Sequence, residues 1–309
     1  MTLCVAPISE SSSPYPESQM ETLVNQIISG LSSGGIYATL ALALVMIFKS
    51  TGRINFAQGE MAMFSTYLAW VLINAGIPYW IAFGATVLLA FGMGVAIERL
   101  VIRPLQHAPA LSMVVVSVGL LVILNSVAGW MFTYTIKTFP SPFPVEPPFG
   151  LTFISWHELG SLGVTLLVVT LLYVFFRYTS LGLAMRAAAQ NPESSRLVGI
   201  RVGWMLALGW GLAAAIGSTA GMLVAPKVFL DPYMMSGVLI YAFAAALLGG
   251  IDSPLGAIVG GFIVGLLENL VGAYLIGDEL KLTLALVLIV GVLLLKPAGL
   301  FGQVIVKRV

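Results

Sequence analysis

In an otherwise apolar chain, six consecutive residues gather the groups able to hold a polar solute: Asn55-Phe56-Ala57-Gln58-Gly59-Glu60. The amides of Asn55 and Gln58 each carry donors and acceptors, Glu60 adds a carboxylate and Phe56 a ring. Glu60 also falls in the first turn of the following helix, where the positive end of the helix dipole favours an acid, so a structural role is equally open. Two other acids belong with this set. Asp252 stands in the break Leu248-Gly249-Gly250-Ile251-Asp252-Ser253-Pro254-Leu255-Gly256, and Glu268 lies between Leu267 and Asn269 inside an apolar run. An ionisable group within such a run is a functional candidate by default, with pairing to a neighbouring helix as the alternative.

These residue types suit holding and passing a solute rather than transforming it. No nucleophile–base pair stands out, and no G-x-x-x-x-G-K-[ST] loop is present to cradle ATP phosphates. His107 and His157 are isolated and Cys4 is single, so neither a metal site nor an internal disulfide is expected, and no cofactor is called for. A net charge of +1 without a basic run argues against a nucleic-acid partner.

The elements that must position these residues are set by hydropathy. Of 309 residues, 59% are hydrophobic and 9% charged, with mean hydropathy +1.01. A soluble domain of this length has too little interior for so much apolar surface. In lipid, each crossing needs about 20 apolar residues in helical form, because no solvent partner exists for a free backbone amide. The expected fold is an all-α polytopic membrane protein with eight to nine transmembrane helices, some discontinuous. Nine apolar stretches cover residues 23–48, 61–73, 79–102, 111–134, 159–176, 204–225, 237–249, 255–276 and 282–295. The stretches 61–73 and 237–249 are too short to cross alone. Residues 1–21, rich in Ser and Pro and without Arg or Lys, read as a disordered tail ahead of one membrane domain over 22–309. They lack the basic stretch and apolar core of a secretory signal. A start of translation at Met20 is a further expectation, to be checked by intact mass.

Charge between the stretches sets a direction. With the N-terminus outside, Lys49, Arg53, Arg99, Arg103, Arg177, Arg186, Arg196, Arg201, Lys296, Lys307 and Arg308 fall on the inner side. Lys137, Lys227 and Lys281 fall on the outer side. The positive-inside bias therefore expects N-terminus out and C-terminus in. The outer loop 135–158, with five prolines and interleaved aromatics, suits the membrane boundary, with a docking surface for an external partner as the alternative. The inner loop 177–203 is different. Helix formers over 180–190, an Asn191-Pro192 restart and a Gly199 stop predict two short helices, a partly apolar and basic knob fit for docking a protein, with a solvated surface loop as the alternative.

Two short polar breaks, at 51–60 and 248–256, interrupt the apolar pattern in the two halves of the chain. Paired interruptions point to a translocation site, since irregular backbone at membrane depth survives only against protein or a water-filled cavity. Ordinary turns at the inner surface remain the alternative. Gly256, Gly260, Gly261 and Gly265 after the second break allow close helix approach. Glu98, Arg99 and Arg103, with Pro104 behind them, read as a local ion pair and snorkelling side chains.

Five segments together carry a resemblance covering the chain from about Leu23 to its end. They are Gly30-Leu31-Ser32-Ser33-Gly34-Gly35-Ile36-Tyr37-Ala38, Arg53-Ile54-Asn55-Phe56-Ala57-Gln58-Gly59-Glu60, Glu98-Arg99-Leu100-Val101-Ile102-Arg103-Pro104-Leu105, Gly182-Leu183-Ala184-Met185-Arg186-Ala187 and Leu248-Gly249-Gly250-Ile251-Asp252-Ser253-Pro254-Leu255-Gly256-Ala257. In these the chain resembles the permease subunits, of LivH type, of branched-chain amino-acid ABC importers in the bacterial inner membrane. The resemblance implies a second, LivM-like permease subunit, two cytoplasmic ATP-binding cassette ATPase subunits and a periplasmic substrate-binding protein as partners. It implies that the segment from Arg186, Ala187 and Ala188 to Gly199 and Ile200 couples to an ATPase. Candidate path residues are then Asn55, Phe56, Gln58, Glu60, Asp252 and Glu268. The family usually has His where this chain has Gln58, and a small or neutral residue where it has Asp252. Relatives carry urea or short amides, so amino acid and amide cargoes both stay open, and an ion-gradient-driven transporter is the rival mechanism.

Overall fold

A computed structural model describes residues 19–105, 108–144, 148 and 154–302. The tail over 1–18, His107, Lys307 and Arg308 lie outside the described residues. Gln19, Met20 and Glu21, assigned above to the tail, are the first residues of α1 (Gln19–Thr51). The helices that follow are α2 (Gln58–Asn74), α3 (Tyr79–Ile97), α4 (Ala110–Phe132) and α5 (Trp156–Tyr178). Then come the short α6 (Ser180–Gln190) and α7 (Pro192–Leu197), and finally α8 (Val202–Val228), α9 (Met234–Gly249), α10 (Pro254–Val271) and α11 (Lys281–Leu295). Among the described residues the only extended pairing is a single bridge between Lys137 and Leu230.

Among the described residues, six of the apolar segments, Met20–Thr51, Tyr79–Leu105, Leu111–Phe132, Trp156–Tyr178, Val202–Val228 and Pro254–Ile276, are long and apolar enough to cross a membrane. The second of these ends as expected: α3 runs through a π-helical turn, Glu98–Ile102, before the Arg103–Leu105 turn closes it. The two stretches too short to cross alone become α2 and α9, of 17 and 16 residues. That corresponds to about 25 Å of helix each, just short of the hydrocarbon thickness.

The bundle sorts its helices by depth of burial rather than by hydropathy. The apolar windows of α1 and α8 are 83% buried, whereas those of α4 and α5 are 22% and 11% buried. Helices apolar all round must be placed by shape, because lipid gives no penalty for exposing Leu or Val. Glycine supplies the shape where α1 crosses α10. A Cβ on Gly34 would stand 2.9 Å from the Gly261 carbonyl and the Phe262 Cα, and one on Gly30 would stand 3.1 Å from the Gly265 carbonyl. The close approach expected of Gly261 and Gly265 is therefore made against the glycines of the first helix.

Candidate functional site

The break between α1 and α2 lies inside the bundle. Gln58 Nε2 donates to the Ala213 carbonyl at 3.0 Å, and Ala213 is eleven residues into α8. At 1.5 Å per residue the start of α2 therefore sits about 16 Å along α8 from its beginning. Asn55 is 1% exposed, Gln58 0% and Glu60 5%. The polar backbone of the break is satisfied locally: Asn55 Oδ1 accepts from the Ala57 N–H at 3.1 Å, and Asn55 Nδ2 donates to Gln58 Oε1 at 3.4 Å. Phe56 meets Phe243 of α9 with ring centroids 5.6 Å apart. Glu60 reaches Asn125 of α4, whose Nδ2 donates to the Pro232 carbonyl at 2.6 Å. Glu60 Oε2 is buried with no hydrogen-bond partner. Asn55, Gln58 and Glu60 are thus buried in the core with half-buried Phe56 between them, and Glu60 reaches a further group, Asn125, that sequence reasoning passed over. Asn125 is an amide inside a 23-residue apolar helix, a signal comparable to the one that drew attention to Glu268.

Asp252 stands elsewhere. The break between α9 and α10 is covered by the turn that follows α11, where the Leu300 and Phe301 N–H groups donate to the Leu248 and Gly249 carbonyls at 2.8 and 2.9 Å. Gly250 takes φ 108° and Gly299 φ 74°, conformations that suit residues without a side chain. Asp252 lies beside this turn and interacts electrostatically with Lys49 at the end of α1. The two interruptions, alike in sequence, differ in place. One is buried in the core and the other is a partly exposed, backbone-bonded turn.

Glu268 of α10 is buried, and its carboxylate meets the hydroxyls of Tyr37 of α1 and Tyr241 of α9. Those two rings stack with centroids 4.8 Å apart. Nearby, Lys227 of α8 donates to Ser32 Oγ at 3.0 Å and lies 3.9 Å from Glu158, which also accepts from Ser29. Five helices therefore share one polar cluster around the α1 glycine segment. Neither tyrosine was marked by the sequence as a partner, because each sits over a hundred residues from the acid or on a different helix.

The loop 177–203 folds as expected into two short helices. Thr179 caps α6 by accepting from the Gly182 N–H at 3.0 Å, and Asn191 caps α7 by accepting from the Ser194 N–H at 2.9 Å. The face these helices turn outward carries Leu183, Leu197 and Val198, 61%, 88% and 76% exposed. Of the residues assigned to coupling, Gly199 is exposed at the turn after α7 with φ 84°, and Ile200 is half-buried. Ala188 faces the other way, buried against the bundle, and Ala187 is half-buried. Arg186 also turns inward, lining cavities together with Lys49. On α3, Glu98 pairs with Arg103 at 2.9 Å, Arg103 donates to the Gly203 carbonyl at 2.6 Å, and the Arg99 guanidinium lies 4.0 Å from the Trp204 ring centroid. These contacts tie α3 to the start of α8, beside the knob.

A helical bundle with apolar, exposed outer helices, a buried polar interruption and a projecting two-helix knob defines a multi-pass membrane permease. Comparison with known proteins makes this specific. The family described as branched-chain amino acid transport system / permease component matches residues 26–293, and this chain belongs to it. The chain is 31% identical over 301 residues to the high-affinity branched-chain amino acid transport system permease protein BraD of Pseudomonas aeruginosa, covering 93% of this chain and 98% of that one. It is 31% identical to the corresponding LivH of Escherichia coli, over 93% of this chain and 97% of that one. A probable LivH of Methanocaldococcus jannaschii is 29% identical over 85% of this chain and 87% of its own length. The chain is accordingly the transmembrane permease component of an ABC importer.

Proposed function

We propose that this permease carries branched-chain amino acids inward by alternating access, with ATP hydrolysed by two associated ATPase subunits and cargo delivered by an external binding protein. A second, LivM-like permease completes the pathway. The observation that carries the reading is the buried interruption at Asn55-Phe56-Ala57-Gln58-Gly59-Glu60, an uncommon density of amide and carboxylate groups in an apolar bundle. Its relatives' names supply the cargo class. Amides and a carboxylate offer moderate, reversible contacts to a zwitterion, and weak binding in the path lets cargo leave quickly. Strong recognition then belongs to the binding protein.

In this reading the N-terminus faces outward and the knob of α6 and α7 faces the cytoplasm, as the distribution of Arg and Lys favours. Closure of the ATPase dimer pushes on the exposed apolar face of the knob, and α8, which follows it directly, transmits the movement to Gln58 through Ala213. An ion-gradient mechanism is less well supported, because the buried acid Glu268 already meets two tyrosine hydroxyls.

The test is uptake by proteoliposomes holding the complete importer. Labelled leucine, isoleucine and valine should accumulate only with ATP inside the compartment on the ATPase side and binding protein on the other. Accumulation of urea or acetamide in their place would replace the amino-acid assignment, and uptake driven by an ion gradient without ATP would remove the mechanism.

A further inference from the structure

Where α1 meets α5 at the level of Gly35, Thr39 and Thr165, the two helices touch. Toward the knob they part, leaving a cleft of about 240 Å³ between α1, α5 and α10. Its walls are hydrocarbon: Leu42 and Met46 of α1, Leu172 and Phe176 of α5, Leu255 and Ile258 of α10. Leu255 at the mouth is 62% exposed. At the end nearest the knob the lining changes character. Lys49 and Arg186 both enter it, close enough to repel one another, and Arg186 Nε is buried without a hydrogen-bond partner. The N-terminus of α10 opens at the same place, capped by Ser253, which accepts from the Gly256 N–H at 3.1 Å. Asp252 is the acid facing this end, and its attraction to Lys49 offsets one of the two cations. The remaining charge and the helix dipole still favour an anion.

A cationic end on a hydrocarbon cleft is complementary to one kind of molecule. We infer that the cleft seats an anionic phospholipid, with its phosphate between Lys49 and Arg186 and an acyl chain along Leu42, Met46, Leu172 and Ile258. Basic pockets between membrane helices on one face of the bilayer recognise acidic headgroups in this way. Beneath the same two basic residues lies a smaller cavity, about 40 Å³, enclosed by Met185, Ala188 and Ala189 of α6 and Met205 and Leu206 of α8. The headgroup therefore sits at the joint between α1, α6 and α10, and fastens the knob to the bundle. This assignment is independent of which cargo is carried, and its readout is bound lipid rather than transport.

The experiment offers phosphatidylglycerol or phosphatidylcholine to the purified importer and counts lipid retained on this subunit by native mass spectrometry. Phosphatidylglycerol should be retained in preference. Lys49→Gln and Arg186→Gln should each lower its retention about five-fold, the loss expected for one basic residue at a membrane surface. Leu255→Trp, a change at an exposed position that leaves both charges in place, should close the mouth and lower retention as strongly. Equal retention of the two lipids, or retention unchanged by all three substitutions, overturns the proposal. So does displacement of the bound lipid by inorganic phosphate alone, which would reduce the site to a simple anion site. A photoreactive group at residue 255 should couple to lipid; coupling to another subunit instead would assign the cleft to a protein interface.

Discussion

Gln58 Nε2 and the Ala213 carbonyl, 155 positions apart, are joined at 3.0 Å, and this bond fastens the interrupted segment to the middle of α8. It forms because residue 217 carries no side chain: a Cβ there would stand 2.5 Å from Nε2. The substitutions Gln58→Leu and Gly217→Ala should therefore act on one feature. Gln58→Leu removes the bond and takes one acceptor from the Asn55 amide, which keeps the Met61 sulfur, at a cost of about 1–3 kcal/mol. Gly217→Ala displaces the amide by overpacking, at a similar cost. Thermal unfolding in detergent should show the double variant less destabilised than the sum of the two, because coupled sites do not add. Fully additive losses would mean the two positions act separately.

Glu268 offers a test of whether its acidity is used. Glu268→Gln keeps an acceptor for Tyr37 and Tyr241 and should change stability by less than about 1 kcal/mol. Glu268→Leu leaves two buried hydroxyls unpaired and should cost about 2 kcal/mol or more. Transport that survives in the glutamine variant assigns Glu268 to holding α1, α9 and α10 together. A stable glutamine variant without uptake assigns it to the pathway.

The crossing of α1 and α10 depends on backbone approach. Gly34→Ile and Gly261→Ile should each force the helices apart, at about 3 kcal/mol, and lower the amount of protein accumulating in the membrane. Gly119→Ile is the matched control, since a side chain added there meets nothing within 4 Å. Immunoblots of membrane fractions give the comparison. Equal loss for Gly119→Ile would point to a general effect of the substitution on insertion.

The outward face of the knob separates coupling from stability. Leu197→Asp and Val198→Asp alter exposed side chains and should leave the unfolding temperature within experimental scatter. They should lower ATP-dependent uptake at least ten-fold if the knob seats in an ATPase cleft, a loss of about 1.4 kcal/mol in docking. Ala188→Arg should instead destabilise the protein, because Ala188 is 1% exposed and packed against the bundle. Undiminished uptake in both aspartate variants would move the coupling surface elsewhere.

Much of the fold is legible along the chain. Apolar runs long enough to cross, loop composition and the Asn191-Pro192 restart are local properties, and the helices formed where these predicted. Gln19, Met20 and Glu21 are helical although polar on average, so hydropathy alone leaves the first turn of α1 in the tail. The site was legible as a segment rather than as a place. Asn55, Gln58 and Glu60 stood out by type, yet nothing near them in sequence tells that they sit deep in the bundle while Asp252 lies under a turn after α11.

Residue order alone determined that lipid is the solvent, that helices are the elements, and which few polar groups deserve scrutiny. Each of these follows from hydropathy and spacing within some twenty residues. The tertiary structure alone decided which helices form the centre, that Glu268 is held by Tyr37 and Tyr241, that Arg186 turns inward beside Lys49, and that Asn125 joins Glu60. The reason is that helices apolar on every side carry no stripe to mark a buried face. Their arrangement is settled by glycine-sized gaps and by hydrogen bonds between residues far apart in the chain.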